Sequence, residues 1–156
     1  MSEPGESLKL YITANSPYAR LARIVVLEKR LEGRVEQVMA KTRQAESPYY
    51  QVNPSGRVPC LVLPDGRRLE ESQLVCHYLD HLDAAPRFEP PAGEATLEVR
   101  RLEALARSLV DGLSVWIREG FRPQDERSPG IIAHERDRAV RLIDVWETEV
   151  GHPAIQ

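Results

Sequence analysis

Three short stretches carry groups that could do chemistry. Ser16-Pro17-Tyr18-Ala19 sets a hydroxyl and a methyl at the spacing of a Cys-x-x-Cys pair. Such a pair at a helix start does dithiol exchange, because that setting lowers the thiol pKa. With serine and alanine in those places the dithiol is gone. A hydroxyl, both donor and acceptor, remains. Val58-Pro59 follows a glycine-containing loop and precedes an apolar run. Proline has no N–H to give to a sheet, so it belongs at a strand's first position. An X-Pro bond in a tight loop can be cis. In that form the Val58 N–H and C=O would turn away from the sheet and could pair with an extended peptide as an added strand. The other reading is an ordinary trans proline opening a strand. Glu71-Ser72 stands where a third helix should begin. Ser72 is a capping residue type. A helix N-terminus also offers N–H groups and a positive dipole end to a carboxylate. Glu71 beside it could hold an ammonium group, so the pair could grip an amino-acid zwitterion.

These stretches need elements to position them. Residues 8–13 alternate and are β-branched in part, which predicts a strand. Pro17 suits the first turn of a helix, capped by Asn15 or Ser16. Leu21, Ile24, Val25, Leu27 and Leu31 fall on one helical face, and Gly33 is expected to stop that helix. Residues 35–39 predict a second strand, 45–52 a weak helix or turn, and 53–56 a loop by their turn residues. Residues 60–63 predict a strand, turned by Pro64-Asp65-Gly66 into a hairpin partner at 68–70. Ser72 is then expected to cap a helix whose apolar face is Leu74, Val75, Tyr78, Leu79 and Leu82. The order β-α-β-α-β-β-α asks for a parallel pair joined by a crossover helix, with an antiparallel strand added by the hairpin. Tyr11, inside the first strand, is expected in the core.

Residues 83–93 hold Pro86, Pro90, Pro91 and Gly93 and read as a linker. Beyond them the pattern is helical only. Residues 94–121 carry Leu97, Leu102, Leu105, Leu109, Leu113 and Trp116 on an apolar stripe. A polar loop is expected at 122–130. A second long helix at 131–150 has Ala139, Leu142, Ile143 and Trp146 on its apolar face. Two amphipathic helices alone cover each other poorly. They could also pack on the α/β domain and on a second subunit, but the favoured expectation is a fragment whose further helices are missing.

Composition narrows the class. The 156 residues suit one domain or two small ones. A hydrophobic content of 42% and a charged content of 29% are ordinary for a soluble protein. The net charge of −3, with acids and bases interspersed, gives no basic face for nucleic acid. No apolar run approaches the roughly 18–20 residues that a membrane span needs. Residues 1–7 are too acidic and polar for a secretory signal and read as a short disordered lead-in. Cys60 and Cys76 form neither a Cys-x-x-Cys nor a zinc spacing. They read as small buried hydrophobes in a reducing, cytoplasmic setting. His77 and His81 are four apart on a helix, without a third ligand nearby, so they read as structural or solvated.

A thioredoxin or glutaredoxin carries Cys-Pro-Tyr-Cys where this chain has Ser16-Pro17-Tyr18-Ala19. Together, the three stretches resemble the N-terminal domain of the cytosolic glutathione S-transferases. Residues 16–29, from Ser-Pro-Tyr-Ala to Leu-Glu-Lys, are similar to the first-helix motif of bacterial members. Asn53-Pro54-Ser55-Gly56-Arg57-Val58-Pro59 looks like their Asn-Pro-x-Gly-x-Val-Pro loop. Glu71-Ser72-Gln73-Leu74-Val75-Cys76-His77-Tyr78-Leu79 looks like their Glu-Ser-x-x-Ile-x-x-Tyr-Leu helix. Residues 97–106 are like the first helix of the family's all-α domain.

The resemblance implies an α/β thioredoxin-like, glutathione-binding domain at 8–82, a linker at 83–93 and an all-α C-terminal domain at 94–156, the last incomplete. Glutathione would be the co-substrate, with no metal. Pro59 would be a cis-proline, and Val58 would pair its backbone with the cysteinyl part of glutathione. Glu71 and Ser72 would hold the γ-glutamyl group. Ser16 would be the catalytic residue, its hydroxyl donated to the glutathione sulfur; Tyr18 and backbone amides are the other candidate donors. Leu109, Leu113 and Trp116 would line the electrophile pocket or belong to the core. The activity implied is conjugation of glutathione to a small hydrophobic electrophile, a detoxification role, in a cytoplasmic homodimer. A glutathione-dependent thiol–disulfide or peroxide reductase and a non-catalytic glutathione-binding module are the alternatives.

Overall fold

The computed structural model describes residues 7–83, 87–88 and 92–153. The lead-in expected at 1–6, parts of the expected linker (84–86 and 89–91) and residues 154–156 lie outside the described residues. The chain divides into two compact units, Met1–Glu89 and Pro90–Gln156.

In the first unit β1 (Leu8–Ile12) leads into α1 (Pro17–Glu28) and β2 (Val35–Met39). A single helical turn, α2 (Tyr49–Val52), precedes β3 (Cys60–Val62), β4 (Arg68–Glu70) and α3 (Ser72–Asp80). The sheet order is β2-β1-β3-β4. β1 and β2 are parallel, with α1 as the crossover; β3 runs antiparallel to β1, and β4 antiparallel to β3. The period-two alternation of β1 sends Leu8, Leu10 and Ile12 to one face. There they share a core with Ala19, Ala22 and Val26 of α1, Leu61 of β3, and Val75 and Leu79 of α3. Tyr11 takes the opposite face, where its ring meets that of Tyr49 at 5.4 Å between centroids.

The helices differ from the sequence expectation at several points. α1 buries Ala19, Ala22 and Val26, while Leu21, Ile24 and Leu27 are exposed. The α1 backbone lies close to that of α3, an approach that small residues allow and a row of leucines would not. α1 also ends at Glu28, not at Gly33. Arg30 turns the chain at φ 54°, and the Leu31 N–H bonds the Val26 carbonyl at 2.8 Å, returning Leu31 to the core. Ser72 is not the cap of α3 but its first residue; Glu71 holds the cap position, at φ 71°. Leu74 of α3 is exposed as well, leaving Val75 and Leu79 as its buried pair. The weak helix expected at 45–52 shortens to α2, since Glu46 adopts φ 56°.

The far ends of α1 and α3 are joined by a buried charge. The Lys29 ammonium donates to the Asp80 carbonyl at 2.9 Å and lies 3.4 Å from the Asp80 carboxylate and 3.0 Å from that of Asp83. The same Asp80 carboxylate accepts the Phe88 N–H at 3.0 Å.

The second unit is α4 (Glu94–Gly120), a 3-10 turn (Gln124–Glu126) and α5 (Pro129–Glu149). α5 begins two residues before the expected position, because Ser128 caps it by accepting the Ile131 N–H at 3.3 Å, with Pro129 at its first position. The two helices are antiparallel: Arg101 meets Glu149 at 2.9 Å, and Arg138 donates to the Ser108 carbonyl at 3.1 Å. The corner is tied by Glu119, which accepts the Ser128 N–H at 2.9 Å and pairs with Arg122 at 2.8 Å. Leu97, expected on the inner stripe, is 76% exposed. It lies a turn before Arg101, where α5 has already ended. Among the described residues no helix is long and apolar enough to cross a membrane.

Candidate functional site

The sheet register brings the three chemistry-bearing stretches together. Tyr11 of β1 lies opposite Cys60 of β3, and Cys60 opposite Glu70 of β4. One step beyond this row stand Ile12, Pro59 and Glu71. β1 therefore ends, β3 begins and β4 ends at the same edge of the sheet. The loop from β1 to Ser16, the Val58-Pro59 pair and the start of α3 all leave from that edge, though 55 residues separate Ser16 from Glu71 in the chain.

Ser16 is the cap of α1, as its type predicts, and Pro17 is at the first helical position. Its Oγ accepts the Ala19 N–H at 3.1 Å. That bond uses a lone pair and leaves the hydroxyl proton for another acceptor. Ser16 is half-buried, so its oxygen borders both the helix end and solvent.

The Val58–Pro59 peptide is cis. Pro59 is buried and Val58 half-buried. Among the described residues, neither the N–H nor the carbonyl of Val58 has a backbone partner. The loop before it is tightly specified. Asn53 is buried, and its carbonyl accepts the Gly56 N–H at 2.9 Å. Its side-chain oxygen accepts the Ser55 N–H at 3.2 Å, and its amide donates to the Arg57 carbonyl at 3.0 Å. Gly56 turns at φ 65°, and a Cβ there would stand 2.7 Å from the Tyr50 ring. Ser55 Oγ reaches the Glu70 carboxylate at 2.6 Å, linking the loop to β4.

At the third corner Glu71 is exposed, with φ 71° and ψ 122°. Such a backbone costs about 1–3 kcal/mol in a residue other than glycine and persists only where the surroundings fix it. Ser72 follows, 3% exposed, in the first turn of α3. An exposed carboxylate beside a helix N-terminus can take a cation and an anion side by side.

The cysteines play a different part. Cys60 is wholly buried, and burial together with the nearby Glu70 carboxylate pushes its thiol pKa up. It stays a protonated thiol, not a nucleophile. Cys76 is half-buried on α3. The His77 and His81 rings stack at 4.2 Å, and among the described residues no group of three or more His, Cys, Asp or Glu could hold a metal ion. Sequence reasoning overlooked Tyr49. It is buried and donates its hydroxyl to the Arg57 carbonyl at 2.5 Å. Nothing in a Tyr-Tyr pair signals a partner eight residues away.

An α/β unit of this strand order, with two helix N-termini flanking a cis-proline at one sheet edge, has counterparts among known proteins. The family profile described as the glutathione S-transferase N-terminal domain matches residues 15–82. The uncharacterized GST-like protein YibF of Escherichia coli (strain K12) is 31% identical over 140 residues, covering 90% of this chain and 68% of that protein. A crystal structure of a glutathione S-transferase from Methylobacillus flagellatus with glutathione bound matches with a TM-score of 0.83 at 33% identity, covering 94% of this chain and 71% of the other. A glutathione transferase family member from Pseudomonas fluorescens Pf-5, also with bound glutathione, matches at a TM-score of 0.81 and 27% identity over 92% of this chain and 71% of its own. The chain belongs to the glutathione S-transferase family. Its α/β unit is the thioredoxin-like N-terminal domain of that family, and its helical unit corresponds to the all-α region of those structures.

Proposed function

We propose that this protein is a glutathione transferase that joins the glutathione thiolate to a small hydrophobic electrophile. The observation that carries the proposal is the meeting of Ser16, Val58-Pro59 and Glu71-Ser72 at one sheet edge through the row Tyr11, Cys60 and Glu70. Glutathione lies along that edge as an added strand, its cysteinyl backbone paired with the Val58 N–H and carbonyl. Its γ-glutamyl ammonium meets the Glu71 carboxylate. Its γ-glutamyl carboxylate meets Ser72 and the positive end of α3. The sulfur then faces Ser16.

A free thiol titrates near pH ~8.5 and is mostly protonated at neutral pH. The Ser16 hydroxyl donates to the thiolate, and the N-terminus of α1 adds a positive field. Each unit by which they lower the thiol pKa is worth about 1.4 kcal/mol. Capping and activation do not compete, since Ser16 caps with a lone pair and activates with its proton. The thiolate attacks the electrophilic carbon, a carbon–sulfur bond forms, and the electrophile's leaving group departs with the electron pair. The chain's residues supply binding, orientation and an activated nucleophile. The proposal includes a cytoplasmic homodimer as the working form.

The test is Ser16→Ala, assayed with a chloro-nitroaromatic electrophile and followed by thiolate absorbance of bound glutathione. The expected outcome is a kcat/KM lower by roughly 100-fold, the scale of one lost donor at a developing or bound anion, with the thiol pKa of bound glutathione raised. Turnover of hydroxyethyl disulfide without any of the chloro-nitroaromatic would overturn conjugation as the activity. Unchanged turnover and thiol pKa in Ser16→Ala would remove Ser16 from the role.

A further inference from the structure

The loop ahead of Val58 carries more hydrogen bonding than its own satisfaction demands. Tyr49 Oη and Asn53 Nδ2 both donate to the Arg57 carbonyl, at 2.5 Å and 3.0 Å. One donor would suffice for a carbonyl at this part-buried position. The Arg57 carbonyl and the Val58 N–H belong to a single planar peptide unit. In a trans unit they point in opposite directions, so fixing the oxygen fixes the line of the N–H. Hydrogen bonds accepted at the oxygen also polarise the unit and strengthen donation at the nitrogen. The Val58 N–H and carbonyl take no backbone partner among the described residues.

We infer that Tyr49 is a positioning residue: its buried hydroxyl, acting through the Arg57 carbonyl, aims and polarises the Val58 N–H that receives the backbone of glutathione. This inference rests on the proposed glutathione site and adds a residue to it that touches no ligand. Tyr49 is suited to the task. It is 5% exposed, and its ring is held against Tyr11 of β1, whose neighbour along the sheet is Cys60. A rigid ring on a central strand thus sets a loop carbonyl that a flexible side chain would leave loose. Burial pushes the phenol pKa up, so the hydroxyl stays a donor at neutral pH. Asn53 holds the same oxygen from within the loop, which fixes it from two directions.

The test is Tyr49→Phe, which keeps the ring and removes the donor. Binding is measured by calorimetry with glutathione and with S-methylglutathione, and the Val58 amide is followed by nitrogen-15 NMR. Both ligands are expected to bind roughly three- to tenfold more weakly, the scale of one hydrogen bond. The factor is the same for both, because the affected contact is to the peptide and not the sulfur. KM for glutathione rises by that factor, kcat and the pKa of the bound thiol stay put, and the Val58 amide resonance shifts. Asn53→Asp removes the other donor while keeping the acceptor for Ser55; the same pattern is expected, and it decides the matter if Tyr49→Phe does not fold. Wild-type binding with undiminished affinity in the folded variant would overturn the positioning role alone. A fall in kcat at unchanged KM would overturn it too, by placing the effect on the sulfur. Wild-type protein that binds neither ligand would overturn the glutathione site itself and this inference with it.

Discussion

Leu10, Val26, Leu61, Val75 and Leu79 of the α/β unit are wholly buried, whereas among the described residues of the helical unit Leu102 and Ala139 are the buried apolar side chains, at 4% and 5% exposure. Apart from Gly112, the other buried residues described there are polar: Ser114, Glu119 and Glu135. Large apolar side chains of α4 and α5, among them Leu97, Ile117 and Val140, are more than half exposed. The helical unit is instead stitched by charged groups, such as Arg101 with Glu149 and Arg138 with the Ser108 carbonyl. The three stretches proposed to bind glutathione all belong to the unit with the deep core. A site held to fractions of an ångström needs packed elements under it, and only the sheet with α1 and α3 offers them.

The sharpest way to break this contrast is a pair of leucine truncations. Leu61→Ala, at a wholly buried position between Leu10 and Leu69, should lower stability by about 2–5 kcal/mol through lost burial and a cavity. Leu97→Ala, 76% exposed, should change it by no more than about 0.5 kcal/mol. Urea unfolding followed by circular dichroism measures both. A cost at Leu97 matching that at Leu61 would mean that a further surface covers α4 in solution, and the contrast would fall.

A second pair sharpens the comparison at glycines. Gly56→Ala puts a Cβ 2.7 Å from the Tyr50 ring at φ 65°, and the left-handed backbone alone costs about 1–2 kcal/mol. Gly120, at the last position of α4, has no atom within 4 Å of where a Cβ would be. Gly120→Ala should be neutral or stabilising by up to about 1 kcal/mol, since alanine favours the helix. Thermal unfolding of the two variants gives the signs. A harmless Gly56→Ala would show that the 53–57 loop is less fixed than its hydrogen bonds indicate.

What the sequence disclosed follows the same division. Alternation in β1, the Asn53-to-Gly56 turn and the Ser16-Pro17 cap are local signals with a mechanism, and each is where the residues put it. The face of α1 was misread because its large residues, Leu21, Ile24 and Leu27, outweigh Ala19 and Ala22 in any apolar count. Close approach to α3 instead favours the small ones. The residues around Val58-Pro59 fit both isomers, and the family resemblance alone implied the cis form that the structure has. Tyr49 was invisible because its partner is a backbone carbonyl, which leaves no mark on residue type. In the helical unit the 3.6-residue period marked the two helices well, but not which apolar positions would be covered, because that depends on where α5 ends.

The smallest effect expected is also the one that most directly separates the two kinds of stabilisation. Glu98 accepts from Arg101 at 2.8 Å and lies 3.3 Å from His152 Nε2, while Arg101 also reaches Glu149. The hydrogen bond from Arg101 holds the Glu98 carboxyl pKa below the usual carboxylate range. A group whose pKa is depressed in the folded state adds stability above its unfolded value, and that stability is lost as pH falls through the folded value. Glu98 is partly exposed, so water and salt screen the pair and the effect is small. Melting curves between neutral and acid pH should fall less steeply in Glu98→Gln than in the native chain, and added salt should narrow the gap. Leu61→Ala should instead lower the curve by a constant amount across that range, because a methyl group does not titrate. Parallel acid limbs in the native chain and Glu98→Gln would show that the Glu98 contacts with Arg101 and His152 add nothing to stability, leaving Arg101 to act through Glu149 alone.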